Sequence, residues 1–400
     1  MLRAALVLVL ALAGTACNAP ATAPAAKSEA APSARPAPPA KAEPAPAKAE
    51  PAPTPAKARD PLCDAAAAPL AALREHRGNA PVAYTGTPLQ AWVKASDAAT
   101  GRHDDAAIAA VLVDTSPAGF AFLRARIEGS IAQWMRERLK HAAEDKEGRE
   151  AAWAAARCAW DVALKPLAVE VAGAEPGLAE EIDAAFAAGE AALASGDPTT
   201  IDKALLPGHE VIEKTWFRLA HRRLMSALAE AKEKSDPVPL ARARGVFEDL
   251  RDRLKDRNTP GIAVVDTALT APPTKVDADA IEREIALALV KRARKYCDEA
   301  LTPAAKGPLG SAAAMATAAE GMAYTRVVLP DMSEKLKGQG FDEAAHLQAW
   351  QGYGEAVAEA DADEAKRLSA ELVQWNCAYQ RALAIRECTS SADEVSAKAP

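Results

Sequence analysis

The sequence predicts an all-α protein made of two tandem, similar four-helix units behind a disordered, Ala/Pro-rich tether. Three observations predict it. Past Asp60, Ala and Leu dominate with Glu, Lys and Arg between them; these are strong helix formers, and no run sustains the period-two alternation of a half-buried strand. Ser116-Pro117, Glu175-Pro176 and Asp197-Pro198 each place a capping residue before a Pro suited to the first helical turn. Finally, the stretch from about Ile127 to Leu228 is echoed from about Ile281 to Cys388. In that echo Ile127-Glu128 and Ile131 correspond to Ile281-Glu282 and Ile285, Trp160 and Pro166 to Tyr324 and Pro330, and Gly189-Glu190-Ala191 to Gly354-Glu355-Ala356. The offset drifts from 154 to 165 residues, so loop lengths differ between the copies.

Residues 1–16 place one Arg before a short apolar run, the layout of a secretory signal. That run is shorter than the ~20 residues needed to span a bilayer. It ends Gly14-Thr15-Ala16-Cys17, which resembles the lipobox of bacterial lipoproteins, with Gly14 where Leu is usual. The resemblance implies that Cys17 becomes a lipidated N-terminus carrying diacylglycerol and palmitate, anchored without a transmembrane helix. Asn18 is not the Asp that retains some lipoproteins at the inner membrane, so the resemblance points to the outer membrane, facing the periplasm. Residues 17–60 form the linker. Of residues 18–60, 17 are Ala and 11 are Pro, with no Leu, Ile, Val or aromatic side chain to bury. Extended polyproline at ~3.1 Å per residue gives this stretch a reach on the order of 100 Å.

The folded part is expected as a first helical unit over 61–235, a connecting helix and loop over 236–276 and a second unit over 277–388, with a disordered tail at 389–400. Short helices fill 61–113. The first unit's helices are expected at about 117–144, 147–172, 177–195 and 198–233; the second unit's at about 278–301, 309–337, 343–359 and 362–387. Asp277 and Asp342 are placed to cap helices. Pro166 and Pro330 fall inside the second helix of each unit and predict matching kinks. Leu205, Val211, Ile212, Trp216, Leu219 and Leu224 recur at helical spacing, an expected buried stripe. A helix at about 238–256 and the loop to Lys275 read as the joint. Ile262–Val265 reads as a packed connector.

Residues 61–400 hold 41 Lys or Arg and 51 Asp or Glu, a formal charge of −10. No basic tract long enough to neutralise phosphates is present, which argues against nucleic acid as a partner. Setting Cys17 aside leaves Cys63, Cys158, Cys297, Cys377 and Cys388. An exported chain is free to form disulfides, and an odd number leaves one free or paired between chains. Cys377 and Cys388 would stand ~16 Å apart along a continuous helix, too far to bridge unless the helix ends first; distant partners are the favoured expectation. The sequence has no Cys-x-x-Cys, Gly-x-Ser-x-Gly, P-loop or Gly-x-Gly-x-x-Gly.

Two patches carry candidate chemistry. In Pro207-Gly208-His209-Glu210-Val211-Ile212-Glu213, His209 and Glu213 share a helix face, and Asp202 lies on that face two turns earlier. Glu210 completes a possible ligand set of His209, Glu213, Asp202 and Glu210. Gly208 would let a group approach the backbone closely. This patch, the export signal and the paired bundles resemble the imelysin family, exported bacterial proteins of duplicated helical bundles linked to iron uptake, with the signature Gly-x-His-x-x-Glu. Here Gly208 is adjacent to His209 and Glu213 is four residues on, so the spacing departs from that signature. The resemblance implies a metal ion such as iron at His209 and Glu213. The bland alternative is a solvated helix face. In the second patch, Glu320 and Tyr324 share a face before Pro330 and are either a ligand-binding pair or a core tyrosine with its partner.

The leading expectation is a non-enzymatic binding or scaffold module of the cell envelope. It would be held at the membrane by its lipid and engage an envelope protein or small ligand in the cleft between the units. The alternative is an imelysin-like, metal-associated protein. Three or more ligands converging on one spot would distinguish the second from the first.

Overall fold

The computed structural model describes residues 61–75, 84–114, 116–173, 175–302, 305–385 and 388. The expected signal peptide, Cys17, the tether and the tail at 389–400 lie outside these residues. The described elements are helical, with no strand among the described residues. They are α1 (Pro61–Glu75), α2 (Pro88–Thr100), α3 (Asp104–Val111), α4 (Pro117–Glu144), α5 (Arg149–Ala159), α6 (Lys165–Val171), α7 (Leu178–Ser195) and α8 (Pro198–Lys234). There follow α9 (Pro237–Arg257), α10 (Thr259–Thr270), α11 (Ala278–Tyr296), α12 (Ala312–Lys335), α13 (Glu343–Glu359) and α14 (Ala362–Ala382).

The caps explain most of these boundaries. Ser116, Asp197, Asp277 and Asp342 each accept a hydrogen bond from the backbone N–H three residues on, filling donors that a helix start leaves open. Glu175-Pro176 does not cap α7. That helix starts at Leu178 after Gly177, whose φ is +84°, and Glu175 instead bonds Arg222 of α8. Asn258-Thr259-Pro260-Gly261, which the sequence reads as a break opening the loop to Lys275, is a helix start: Pro260 sits in the first turn of α10, so Ile262–Val265 is helical.

Pro166 and Pro330 act differently. The chain between α5 and α6 is a π-turn, Trp160–Leu164. Pro166 has no N–H for the Val162 carbonyl, and the wider turn frees its neighbour too. Arg74 of α1 donates to both Val162 O and Ala163 O. Around Pro330, α12 stays α-helical from Ala312 to Lys335. Helix lengths do not repeat between the two expected units: α4 and α8 have 28 and 37 residues, α11 and α14 have 19 and 21.

The helix α8 is the axis of the molecule. It packs against α4, α7, α9 and α12, and every residue from Val211 to His221 is buried. The predicted stripe is correct in its members, but the whole circumference is covered. The expected joint is also core: α9 lies along both α4 and α8. Trp153 of α5 fits between helices because Gly189 and Gly208 lack side chains; a Cβ on Gly208 would stand 3.3 Å from the Trp153 ring, and one on Gly189 would overlap it. Trp350 uses Gly321 in the same way, 2.5 Å from where a Cβ would be. The close approach that Gly208 allows is therefore made by a core tryptophan.

Two disulfides form. Cys63–Cys158 ties α1 to α5 with Cα atoms 6.2 Å apart, and Cys377–Cys388 has Cα atoms 5.3 Å apart. The expectation of distant partners for the second pair is corrected: α14 ends at Ala382, Ala384 takes φ +64°, and the Ile385 N–H returns to Gln380 O at 2.9 Å. That reversal brings Cys388 back along the helix. Cys297 is a buried free thiol.

Candidate functional site: a buried charge cluster on the central helix

Because α8 is buried all round near its middle, each charged residue there must find a partner inside the protein. Glu213 is the hub. It accepts from Arg136 Nε of α4 at 2.6 Å, from Lys214 Nζ at 2.5 Å, and from Arg253 of α9. Lys214 also pairs with Glu210 and stands 3.3 Å from Glu320 of α12. Its ammonium lies 5.6 Å from the centroid of the Tyr324 ring, and Arg292 approaches that ring at 5.7 Å. Tyr324 in turn stacks on Tyr296 of α11, with centroids 6.0 Å apart. The Arg136 and Arg253 guanidiniums both lie against the ring of Phe217, at 5.3 and 4.6 Å.

The two sequence patches are thus one cluster, since His209, Glu210 and Glu213 meet Glu320 and Tyr324 through Lys214. Glu320 does not satisfy Tyr324, however. It bonds Tyr296, and the Tyr324 hydroxyl has no partner among the described residues. Asp202 is not part of the cluster; it pairs with Arg149 at 2.9 Å. His209 Nε2 lies 3.5 Å from Glu213 and Nδ1 lies 3.9 Å from Glu210.

The electrostatics follow from burial and from these charges. Burial alone would raise Glu213, but Arg136, Lys214 and Arg253 overcome it and hold the carboxyl well below its usual range. Lys214 is raised: burial disfavours its charge, and Glu213 and Glu210 outweigh that cost. Burial pushes His209 down to about 4 despite Glu213 beside it, so the imidazole is neutral at pH 7. Glu210, Glu213 and Glu320 face Arg136, Lys214 and Arg253, while Arg292, the fourth cation, pairs with Asp256 at 2.7 Å. The donor set does not fit the metal that the imelysin resemblance implies, because the Glu213 and Glu210 oxygens are already bound by cationic side chains. Among the described residues no three His, Cys, Asp or Glu side chains are grouped to hold a metal ion.

Arg136, Lys214, Arg253, Arg292 and Tyr296 escape a reading of sequence spacing, since they come from four helices. One signal was present: Glu213-Lys214 falls between Val211-Ile212 and Trp216-Phe217, apolar pairs that lie on different faces of the helix.

Similar clusters tie other helices together. Glu128 is fully buried between Arg124 and Arg223, at 2.8 and 2.7 Å. Glu181 of α7 joins Arg218 of α8 and Arg326 of α12. Asp104 pairs with Arg102 and Arg126. Beside it Asp249 occupies the space that Gly129 leaves open, and its Oδ1 has no hydrogen-bond partner among the described residues. Burial and the Asp104 carboxylate, opposed by Arg102 and Arg126, push Asp249 up to about 7. The folded chain therefore holds a proton there that the unfolded chain, at 3.8, has released. Stability is lost as pH rises between those values. Asp249→Asn is expected to stabilise the protein at pH 8, on the order of 2 kcal/mol, with the gain vanishing below pH 4. Urea unfolding at both pH values checks this, and a gain independent of pH would refute it.

A shallow crevice of about 10 Å³, room for no more than about one water molecule, lies between α8 and the pair α11 and α12. Leu289, Val327 and Val328 form an apolar part, and His221, Glu282 and Asp331 supply polar groups. Neither ring nitrogen of His221 has a hydrogen-bond partner among the described residues, and burial with Arg222 beside it pushes the imidazole down to about 3. Asp331 accepts from the Tyr379 hydroxyl at 2.5 Å. Burial and the Asp331 carboxylate raise Glu282.

No protein-family model, curated protein or solved structure matches this chain. No described helix is long and apolar enough to cross a membrane.

Proposed function

We propose that this protein is a non-enzymatic helical binding module of the bacterial cell envelope, held at the membrane by lipid on Cys17 and set off from it by the Ala/Pro-rich tether. The observation that carries the non-enzymatic reading is the fate of the candidate residues. Glu210, Glu213 and Glu320 spend their charge and hydrogen bonds on Lys214, Arg136, Arg253 and Tyr296, and the buried His209 lies against Glu213 and Glu210. A general base or a metal ligand needs a lone pair open to its reactant, and these carboxylates point theirs at cations. The cluster acts as an internal weld between α8 and α12, and the crevice holds no more than about one water molecule, so a partner would be met on the surface around Glu282. Two disulfides suit an oxidising compartment such as the periplasm, in keeping with the signal-like N-terminus.

Metal analysis separates this reading from the imelysin-like one. The full chain, purified without chelator, is expected to carry well under one equivalent of iron, zinc or copper, with no difference between the parent and His209→Ala. His209 is the residue to change because removing the Glu213 charge leaves a buried cation unbalanced. About one equivalent in the parent, lost in His209→Ala, would overturn the proposal. A photo-cross-linker at Glu282, on the crevice, is then expected to capture a discrete envelope component in cells, while one at the exposed end of α8, at Lys234, is not.

A further inference from the structure

We propose that the Cys377–Cys388 disulfide is a thiol-exchange site, opened by a dithiol reductant, and that the Arg294 guanidinium holds Cys388 as a thiolate once it is open. The two disulfides sit in different surroundings. Cys63–Cys158 lies between packed helices, with its cysteines 0% and 6% exposed. Cys388 lies past the end of α14 and is partly exposed. Arg294 Nε of α11 donates to Cys388 Sγ at 3.3 Å, while its Nη1 donates to Asp298 at 3.1 Å. Arg294 is itself 4% exposed, so its side chain is fixed in this position and not free to leave for solvent.

A guanidinium against a sulfur favours the thiolate over the thiol. A disulfide whose reduced form is stabilised in this way is more oxidising, and a sulfur with a lower thiol pKa leaves faster. The exchange proceeds in two displacements. A thiolate of the reductant attacks Sγ of the partly exposed Cys388; the bond between Cys388 and Cys377 breaks, and Cys377 leaves with the electron pair and takes a proton. The second thiolate of the reductant then attacks its own sulfur in the mixed disulfide. The reductant closes to a disulfide, and Cys388 departs as a thiolate facing Arg294. Two electrons pass from the dithiol to the protein. The product has a reactive Cys388 thiolate, and the clasp holding Leu383 and Ile385 against the core is open. Cys297, three residues beyond Arg294 at the end of α11, takes no part: it is buried, and burial pushes its thiol up.

The test equilibrates the oxidised full chain against graded dithiothreitol, alkylates it and maps each cysteine by mass. Cys377–Cys388 is expected to open at reductant concentrations at least tenfold lower than Cys63–Cys158. Arg294→Gln is expected to raise the concentration for Cys377–Cys388 about tenfold and leave the other disulfide unchanged. Cys377→Ser, which frees Cys388 beside an intact Arg294, gives a second measurement that does not depend on that variant folding. There the alkylation rate of Cys388 is expected to rise with a midpoint at least one pH unit below that of an ordinary thiol. Both disulfides opening together, or a Cys388 midpoint at the ordinary value of about 8.5, would overturn the proposal.

Discussion

Glu213→Gln is expected to destabilise the fold by about 3–5 kcal/mol, the cost of breaking a buried ion pair by removing one partner. The glutamine keeps the shape but not the charge. Arg136, Lys214 and Arg253 would then face only Glu210 and Glu320, leaving one cation unbalanced in the interior. Urea unfolding of parent and variant measures the loss. The double variant Glu213→Gln, Arg253→Met removes the surplus cation and is expected to recover a large part of it. Losses that simply add would mean that the two groups do not interact as described. The pH dependence carries the same signature. The Glu213 carboxyl is depressed in the folded state, so its contribution is fully present above the unfolded value of 4.5 and is lost as pH falls through the folded one. That acid-dependent component is expected to disappear in Glu213→Gln.

Cys158→Ser is expected to cost about 2–5 kcal/mol, because the bond it removes closes a loop of 95 residues. The structure predicts where the loss begins. Helix α1 rests on α2, α5 and the π-turn, and it also supplies Arg74 to the carbonyls that Pro166 and the π-turn leave open. Without the disulfide, amide exchange is expected to accelerate first in α1 and in Trp160–Leu164, and only later in α8. Unchanged stability together with unchanged exchange in α1 would show that packing alone holds this helix.

Chain-local features were legible from the sequence. The all-α class, the caps at Ser116, Asp197, Asp277 and Asp342, and the apolar stripe of α8 depend on neighbours within a few residues, where propensity and periodicity act. Where local signals were ambiguous, packing decided. Asn258-Thr259-Pro260-Gly261 reads as a break, yet α10 starts there and packs against α9 and α11. The reach of α14 to about residue 387 was overestimated because no strong breaker follows Ala382. The reversal at Ala384 there is fixed by the Cys377–Cys388 bond and by the Ile385 N–H.

The candidate site shows the division most clearly. Sequence alone determined that His209, Glu210 and Glu213 lie close on one helix, and that Glu320 lies a turn before Tyr324 on another. Only the tertiary structure decided what those residues do. It surrounds α8 on every side, so desolvation forces each charge to find an opposite one, and the nearest partners come from α4, α9, α11 and α12. A contact set by burial and by charges from five helices leaves almost no trace in the spacing of any one of them.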